Sequence, residues 1–271
     1  MDVAHELAAA GAGEGTLVWA ARQEQGRGRL GRTWASPEGG LYLSLIVRPA
    51  RPLAEFPQLS LVAGLSAAEA IRELTGLSAA IRWPNDLLIN DKKVAGILAE
   101  GSGLRAVGTN RPPEPRAPPA RLSRSPGRAS PEPVIVIGIG INVTTQLKDL
   151  PDTATSLLAN LSSHLTFSAI LPGGPANLVG GDIQHLTCAL TGALCRHLEA
   201  WYDAWTTGGF APIREALRPW MGHFGQPVHI SAGSTRFEGT ATDLDEQGRL
   251  VVRLDSGVQR AFEVGEVTLL H

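Results

Sequence analysis

The chain has 271 residues, 43% hydrophobic and 18% charged, with a formal charge of −2. That length buries a full core and leaves room for a small second domain. The near-neutral charge excludes a global pull towards nucleic acid or an acidic membrane surface, and no apolar run spans a bilayer, so with no leader in view a cytoplasmic protein is expected.

The first element is a helix over residues 2–10, with Asp2 as its cap and Val3, Leu7 and Ala10 at helical spacing. A short apolar strand, Thr16 to Ala21, leads into Gln23-Glu24-Gln25-Gly26-Arg27-Gly28-Arg29-Leu30-Gly31-Arg32-Thr33-Trp34. Glycine lets a backbone approach a ligand closely, and arginine offers a charged fork for phosphate or carboxylate. Interleaved, they make a loop suited to closing over an anion. An arginine–glycine tract that touches nucleic acid through charge alone is the weaker reading, because the tract is short and lies between two strands. The second strand is Leu41 to Val47.

Pro57 to Leu74 reads as a helix with Leu61, Leu65, Ala68 and Ile71 on one face and Gly76 as its stop. A strand–turn–strand pattern follows, through Ala80-Ile81-Arg82-Trp83, Pro84-Asn85-Asp86 and Leu87-Leu88-Ile89. The turn Asn90-Asp91-Lys92 then starts the return strand, Lys93 to Glu100. A lysine there is ordinarily a solvated edge residue; beside a Trp-Pro-Asn-Asp turn it becomes a candidate for chemistry. Residues 101–133 carry eight prolines and six arginines and cannot build a core, so an insertion without fixed structure between two hairpin strands is expected. Val134 to Val143 is a buried strand whose glycines, Gly138 and Gly140, clear one face for something to lie flat against it. Asn142 at its end adds a directional donor and acceptor.

A Gly/Pro-rich loop covers 171–181, an amphipathic helix His185 to Trp205, and a short helix Ile213 to Met221. Cys188 and Cys195, seven apart, stack on one helix face and are expected as small core residues; the spacing suits neither zinc nor a disulfide. His185 and His197 have no partner at metal spacing. From about Gly225 five short strands separated by turn signals indicate a small β-barrel.

Four segments together resemble the biotin–protein ligases, in that family's order: Gln23…Gly26-Arg-Gly-Arg-Leu-Gly-Arg32-Thr-Trp34, Arg82-Trp-Pro-Asn-Asp86 with Lys93-Val-Ala-Gly-Ile-Leu98, Gly138-Ile-Gly-Ile-Asn-Val143, and Ala154-Thr-Ser-Leu157. The resemblance implies an α+β fold. A mixed-sheet catalytic domain of the class II aminoacyl-tRNA synthetase-like, biotin–lipoate ligase type would cover 1–222, and an SH3-like barrel 223–271. It implies activation of biotin with ATP and Mg²⁺ to biotinyl-5′-AMP, then transfer to a lysine of a biotin carboxyl carrier protein. Lys93 and Arg29 are then the catalytic candidates. Gln23, Arg27, Gly28, Arg29, Lys93 and Gly96 would hold biotin and the adenylate; Arg32, Trp34, Asn85, Asp86 and Asn142 would hold ATP. No metal ligand is firmly assigned, with Asn85 and Asp86 as candidate Mg²⁺ contacts.

Two departures stand out. Family members place a Ser-Thr pair before the first helix, where it contacts biotin, whereas this sequence opens at Met1-Asp2; either it starts further upstream or the pocket lacks a wall. Arg82 stands where lysine is usual, a planar fork in place of a point charge. With no winged helix-turn-helix, no DNA binding is expected; a homodimer is left open. The competing readings are a lipoate-type ligase, a non-catalytic biotin or nucleotide binder, and RNA binding through the barrel and the basic insertion.

Overall fold

The computed structural model describes residues 1–101, 133–161, 181–232, 235–263 and 265–270; the expected insertion but for residues 101 and 133, and the 171–181 loop but for residue 181, fall outside them. Two antiparallel sheets organise the described chain. The first has six strands in the order β1-β2-β6-β5-β4-β3: β1 (Leu17–Ala20), β2 (Gly40–Val47), β3 (Ala80–Arg82), β4 (Asp86–Ile89), β5 (Lys92–Gly101) and β6 (Ile135–Asn142). β5 and β6 pair with Gly101 opposite Ile135, so residues 102–134 do connect two strands of a hairpin. Between β4 and β5, Asn90 and Asp91 both take positive φ, a backbone that these two residue types tolerate, so the chain reverses within two residues and delivers Lys93.

One face of this sheet packs on α2 (Leu59–Thr75), which packs in turn on α4 (Gly181–Gly208), and Leu41, Ile81, Ile97, Ile137 and Ile141 join Leu65, Ile71 and Leu194 in one core. Each such side chain contributes about 1.5–3 kcal/mol through burial. A two-turn 3-10 segment, Leu53–Gln58, precedes α2, so the helix starts two residues later than expected; Gly76 ends it in a left-handed conformation. His197 ties α4 to α2, with one ring nitrogen 3.0 Å from Glu69 and the other 2.8 Å from Glu73.

The opposite face meets α1 (Asp2–Ala9), and here the expected helix face is corrected. Ala4 and Ala8 are buried against Ile46 and Val136, while Val3 and Leu7 are exposed. Small side chains let the helix axis come close to the sheet, which Val3 and Leu7 would hold off. Asp2 does not cap the helix; it lies in the first turn and pairs with Arg27. The cysteines are corrected too. Cys188 and Cys195 share a face of α4 as the spacing requires, but both are exposed.

Beyond α3 (Leu157–Asn160) and α5 (Ala211–Leu217) comes the second sheet, in the order β10-β9-β8-β7-β11: β7 (Pro227–Ala232), β8 (Thr235–Leu244), β9 (Leu250–Leu254), β10 (Gln259–Phe262) and β11 (Glu266–Leu269). All five expected strands form. Among the described residues the ladder runs from β10 at one end to β11 at the other. Its inner residues Val228, Ile230, Ala241, Leu250 and Val252 belong to the same buried core as the first sheet. Among the described residues no helix is long and apolar enough to cross a membrane.

Candidate active site

A cavity of about 300 Å³ opens between the arginine–glycine loop, the α1 face of the first sheet and the edge strand β11. Its lining carries five cations (Arg27, Arg29, Arg32, Arg82 and Lys93) against three carboxylates (Asp2, Asp86 and Glu266), so it favours an anionic ligand.

The floor is made by Gly96 on β5 and Gly138 and Gly140 on β6, with Gly96 directly opposite Gly140. A methyl group on Gly140 would lie 2.7 Å from the Trp34 indole nitrogen, and one on Gly96 would lie 3.1 Å from the same ring. Alternate glycines thus do clear a face for a flat group. In this chain Trp34 lies on it, with Met1 over Gly138. The Trp34 Nε1–H is buried with no hydrogen-bond partner among the described residues, leaving a donor for a ligand in the cavity.

One wall is the stretch from Arg82 to Lys93. Asp86 sits between two cations: Arg82 donates to its Oδ2 at 2.9 Å, and Lys93 Nζ lies 2.5 Å from its Oδ1. The second contact is an ion pair by distance, without hydrogen-bond alignment. Asn85 donates from Nδ2 to the Ile97 carbonyl at 2.9 Å and accepts from Arg29 Nη1 at 3.3 Å. Lys93 Nζ also stands 5.1 Å from the centre of the Trp34 ring, within range of a cation–π contact. The Lys93 backbone is clamped: its N–H donates to Thr153 O and its carbonyl accepts from Thr155 N, both at 2.9 Å. The Ala154-Thr155-Ser156-Leu157 motif therefore acts by holding Lys93 in place.

The loop makes the facing wall. It closes on itself through Gly28 N–H to Arg32 O at 2.7 Å and Trp34 N–H to Gly26 O at 3.0 Å. A side chain on Gly26 would collide with the Trp34 carbonyl and Ser36 Oγ, so that crossing requires glycine. Gln23 accepts a 2.8 Å hydrogen bond from Ser36 Oγ. Arg27 reaches Asp2 at 2.7 Å and Glu100 at 3.4 Å. Arg32 pairs with Glu266 on β11, and that hydrogen bond raises its pKa. Arg29 is the half-buried arginine of the loop. Desolvation lowers its pKa, and Asp86 and then Glu266 counter that shift. Tyr42, beside the floor, donates to the Pro37 carbonyl, and burial pushes its phenol up to about 12, so it is a neutral wall residue.

Ten sequence candidates line this one cavity: Gln23, Arg27, Gly28, Arg29, Arg32, Trp34, Asn85, Asp86, Lys93 and Gly96. Asn142 does not. It is 1% exposed and its Nδ2 donates to Thr155 O at 2.9 Å, so it helps to hold the segment that clamps Lys93. The lining contributed by Gly265 to Thr268 had no signal in the sequence beyond an acid next to a glycine. Asp2 and Tyr42 likewise come to the cavity through tertiary packing alone.

Residues 4–109 match the biotin/lipoate A/B protein ligase family and residues 223–270 the biotin protein ligase C-terminal domain. The chain is 35% identical to the bifunctional ligase/repressor BirA of Bacillus subtilis (strain 168), over 96% of this chain and 68% of that protein. It is 31% identical to the biotin–[acetyl-CoA-carboxylase] ligase of Paracoccus denitrificans, over 89% and 86%. The structure superimposes on the biotin protein ligase from Aquifex aeolicus in complex with biotin and ATP with a TM-score of 0.68 and 25% identity, covering 98% of this chain and 94% of that one. The chain belongs to the biotin protein ligase family.

Proposed function

We propose that the protein activates biotin with ATP and transfers it to a lysine of a biotin carboxyl carrier domain. In the first step a carboxylate oxygen of biotin attacks the α-phosphorus of ATP and pyrophosphate leaves. In the second the carrier lysine amine attacks the acyl carbon of biotinyl-5′-AMP, AMP leaves, and the amine gives up a proton. Both reactants of the first step are anions, so the site must offset their repulsion and align them.

The observation that carries this reading is the convergence of Lys93 and Arg29, from a strand and a loop, on Asp86 and Asn85 beside a glycine floor. Lys93, held at both backbone ends, would contact the biotin carboxylate and the α-phosphate. Arg29 would add charge from a desolvated position, where it is worth more than in water. Arg27, Gly28, Gln23 and Gly96 fit the biotin side, and Arg32 and Trp34 the nucleotide side. The Trp34 N–H with no partner supports a polar contact there.

Mg²⁺ fits as the counter-ion of the nucleotide. Among the described residues no three His, Cys, Asp or Glu side chains could hold a metal ion, and Asp86 is already shared by two cations. Mg²⁺ usually keeps phosphate and water ligands with one or two carboxylates, and Asp86 is the carboxylate of this wall. In the same reading residues 1–222 form a synthetase-like catalytic unit and 223–271 an SH3-like unit. The match of 223–270 to a biotin-type C-terminal domain favours biotin over lipoate as substrate.

Biotin-dependent exchange of labelled pyrophosphate into ATP tests the first step, and labelling of a carrier domain the second. Absence of exchange at saturating ATP, Mg²⁺ and biotin would leave a binding protein without the activity.

A further inference from the structure

One buried hydrogen bond joins the second sheet to the strand wall of the site, and a part-buried one joins it to the segment before α2. The turn between β8 and β9, Asp245 to Arg249, is preformed. Asp245 Oδ1 accepts from Gln247 N at 3.0 Å and Arg249 N at 2.9 Å, and its Oδ2 accepts from Arg249 Nε at 2.6 Å. Two carbonyls of this turn point into the first unit. Glu246 O accepts from Gln58 Nε2 at 3.1 Å, and Gln58, 2% exposed, is itself held by the Trp205 indole N–H at 2.7 Å. Gly248 O accepts from the Trp83 indole N–H at 3.1 Å.

The seat is tight. Gly248 has φ +76°, and a methyl group on it would meet Leu61 Cδ1 at 3.1 Å and Gln58 Cγ and Phe210 Cζ at 3.4 Å. Trp83 is 3% exposed, and the chain runs from it through Pro84 directly to Asn85 and Asp86. Those two residues receive Arg29 and Lys93.

Resting on the ligase reading, we propose that the Asp245–Arg249 turn is a positioning element of the adenylation site. By fixing the Trp83 indole, the Gly248 carbonyl sets where Asn85 and Asp86 stand, and so where Arg29 and Lys93 meet the reacting anions. Gly248 does not line the cavity, so the turn acts only through Trp83. Truncating or swapping the second sheet would then damage chemistry as well as stability.

The test uses the full chain and three variants. Gly248→Ala forces the turn out of its seat without touching the cavity. Trp83→Phe deletes the same hydrogen bond from the other side and keeps an aromatic ring. Trp201→Phe makes the same chemical change elsewhere, losing the 2.7 Å indole bond to Glu69. Misplacement of catalytic groups by a fraction of an ångström should cost about tenfold in kcat of biotin-dependent exchange in Gly248→Ala and in Trp83→Phe, with the KM for biotin within about twofold of the parent. Amide deuterium uptake over residues 84–97 should rise in both. Trp201→Phe should keep parental kcat and parental uptake there.

Parental kcat and uptake in Gly248→Ala would overturn the proposal. So would an equal kinetic loss in Trp201→Phe, which would mean a general loss of stability. If the parent itself shows no exchange, the ligase reading fails, and the deuterium uptake of the same variants decides the positioning role alone.

Discussion

The loop wall, 25–34, and the strand wall, Arg82 to Lys93, face each other across one cavity, and they are held by different kinds of interaction. Arg27 and Arg32 attach the loop to Asp2, Glu100 and Glu266 through side chains that are largely exposed. Pairs of that kind are worth about 0–1 kcal/mol each and weaken with salt. The strand wall rests on backbone bonds at Lys93, on the Asn85–Ile97 bond and on the buried Trp83–Gly248 bond. Leaving one buried partner unpaired costs about 1–3 kcal/mol. The molecule thus pairs a fixed frame with a loop held to it mainly by exposed ion pairs. Arg29, half-buried and hydrogen-bonded to Asn85, belongs to both.

The frame is broken most severely at Lys93. Lys93→Ala removes a preorganised cation from the reacting centre, and such losses cost about 10²–10³ in rate. Adenylate formation should fall by that order while the melting temperature shifts by a few degrees at most. Near-parental exchange would remove Lys93 from the reaction.

Behind the frame lies His223, 3% exposed, next to β3 and Arg82. Burial, and secondarily the Arg82 charge, lowers its pKa from 6.5 to about 4. The folded state therefore binds this proton less readily than the unfolded chain. Its neutral form contributes fully above pH 6.5, and the contribution is lost as pH falls from 6.5 towards 4. At about 1.4 kcal/mol per pH unit the whole span is worth about 3 kcal/mol. Urea denaturation at pH 7 and pH 4.5 should show a smaller acid loss in His223→Phe than in the parent; equal losses would mean that His223 is not responsible.

The lid is probed at its half-buried arginine. Arg29→Gly deletes the bond to Asn85 and a desolvated charge over the site. The release rate of biotinyl-5′-AMP should rise by about 10–100-fold, the worth of a charge-assisted hydrogen bond. An unchanged release rate would show that the other loop arginines suffice.

Frame and lid were not equally legible in the sequence. The Asn90-Asp91 turn, the alternating glycines of β6 and the arginine–glycine loop follow local rules, and each stands where local chemistry puts it. Faces were harder. Periodicity says that Cys188 and Cys195 share a side of α4, and that Val3 and Leu7 share a side of α1, but not which side meets the sheet. Asn142 shares strand parity with Gly138 and Gly140, yet the 154–156 segment covers it, a contact between residues more than ten apart. Gly265 to Thr268 reach the cavity from a sheet that begins at Pro227, a placement that no local pattern encodes.

The smallest effect is expected at the tip of the lid. Arg32 and Glu266 are both more than two-fifths exposed, and their pair joins the loop to the second sheet. Glu266→Gln keeps the shape and an acceptor oxygen but removes the charge. If the carboxylate tethers Arg32 in place for the nucleotide, the KM for ATP should rise by less than about fivefold, the upper range of an exposed pair. The difference from the parent should vanish at about 1 M salt, where screening acts over roughly 3 Å. A fall in KM would reverse the assignment, because Glu266 would then compete with phosphate for Arg32. The sign of the change thus shows whether the second sheet supports only the fixed frame, through Gly248, or the lid as well.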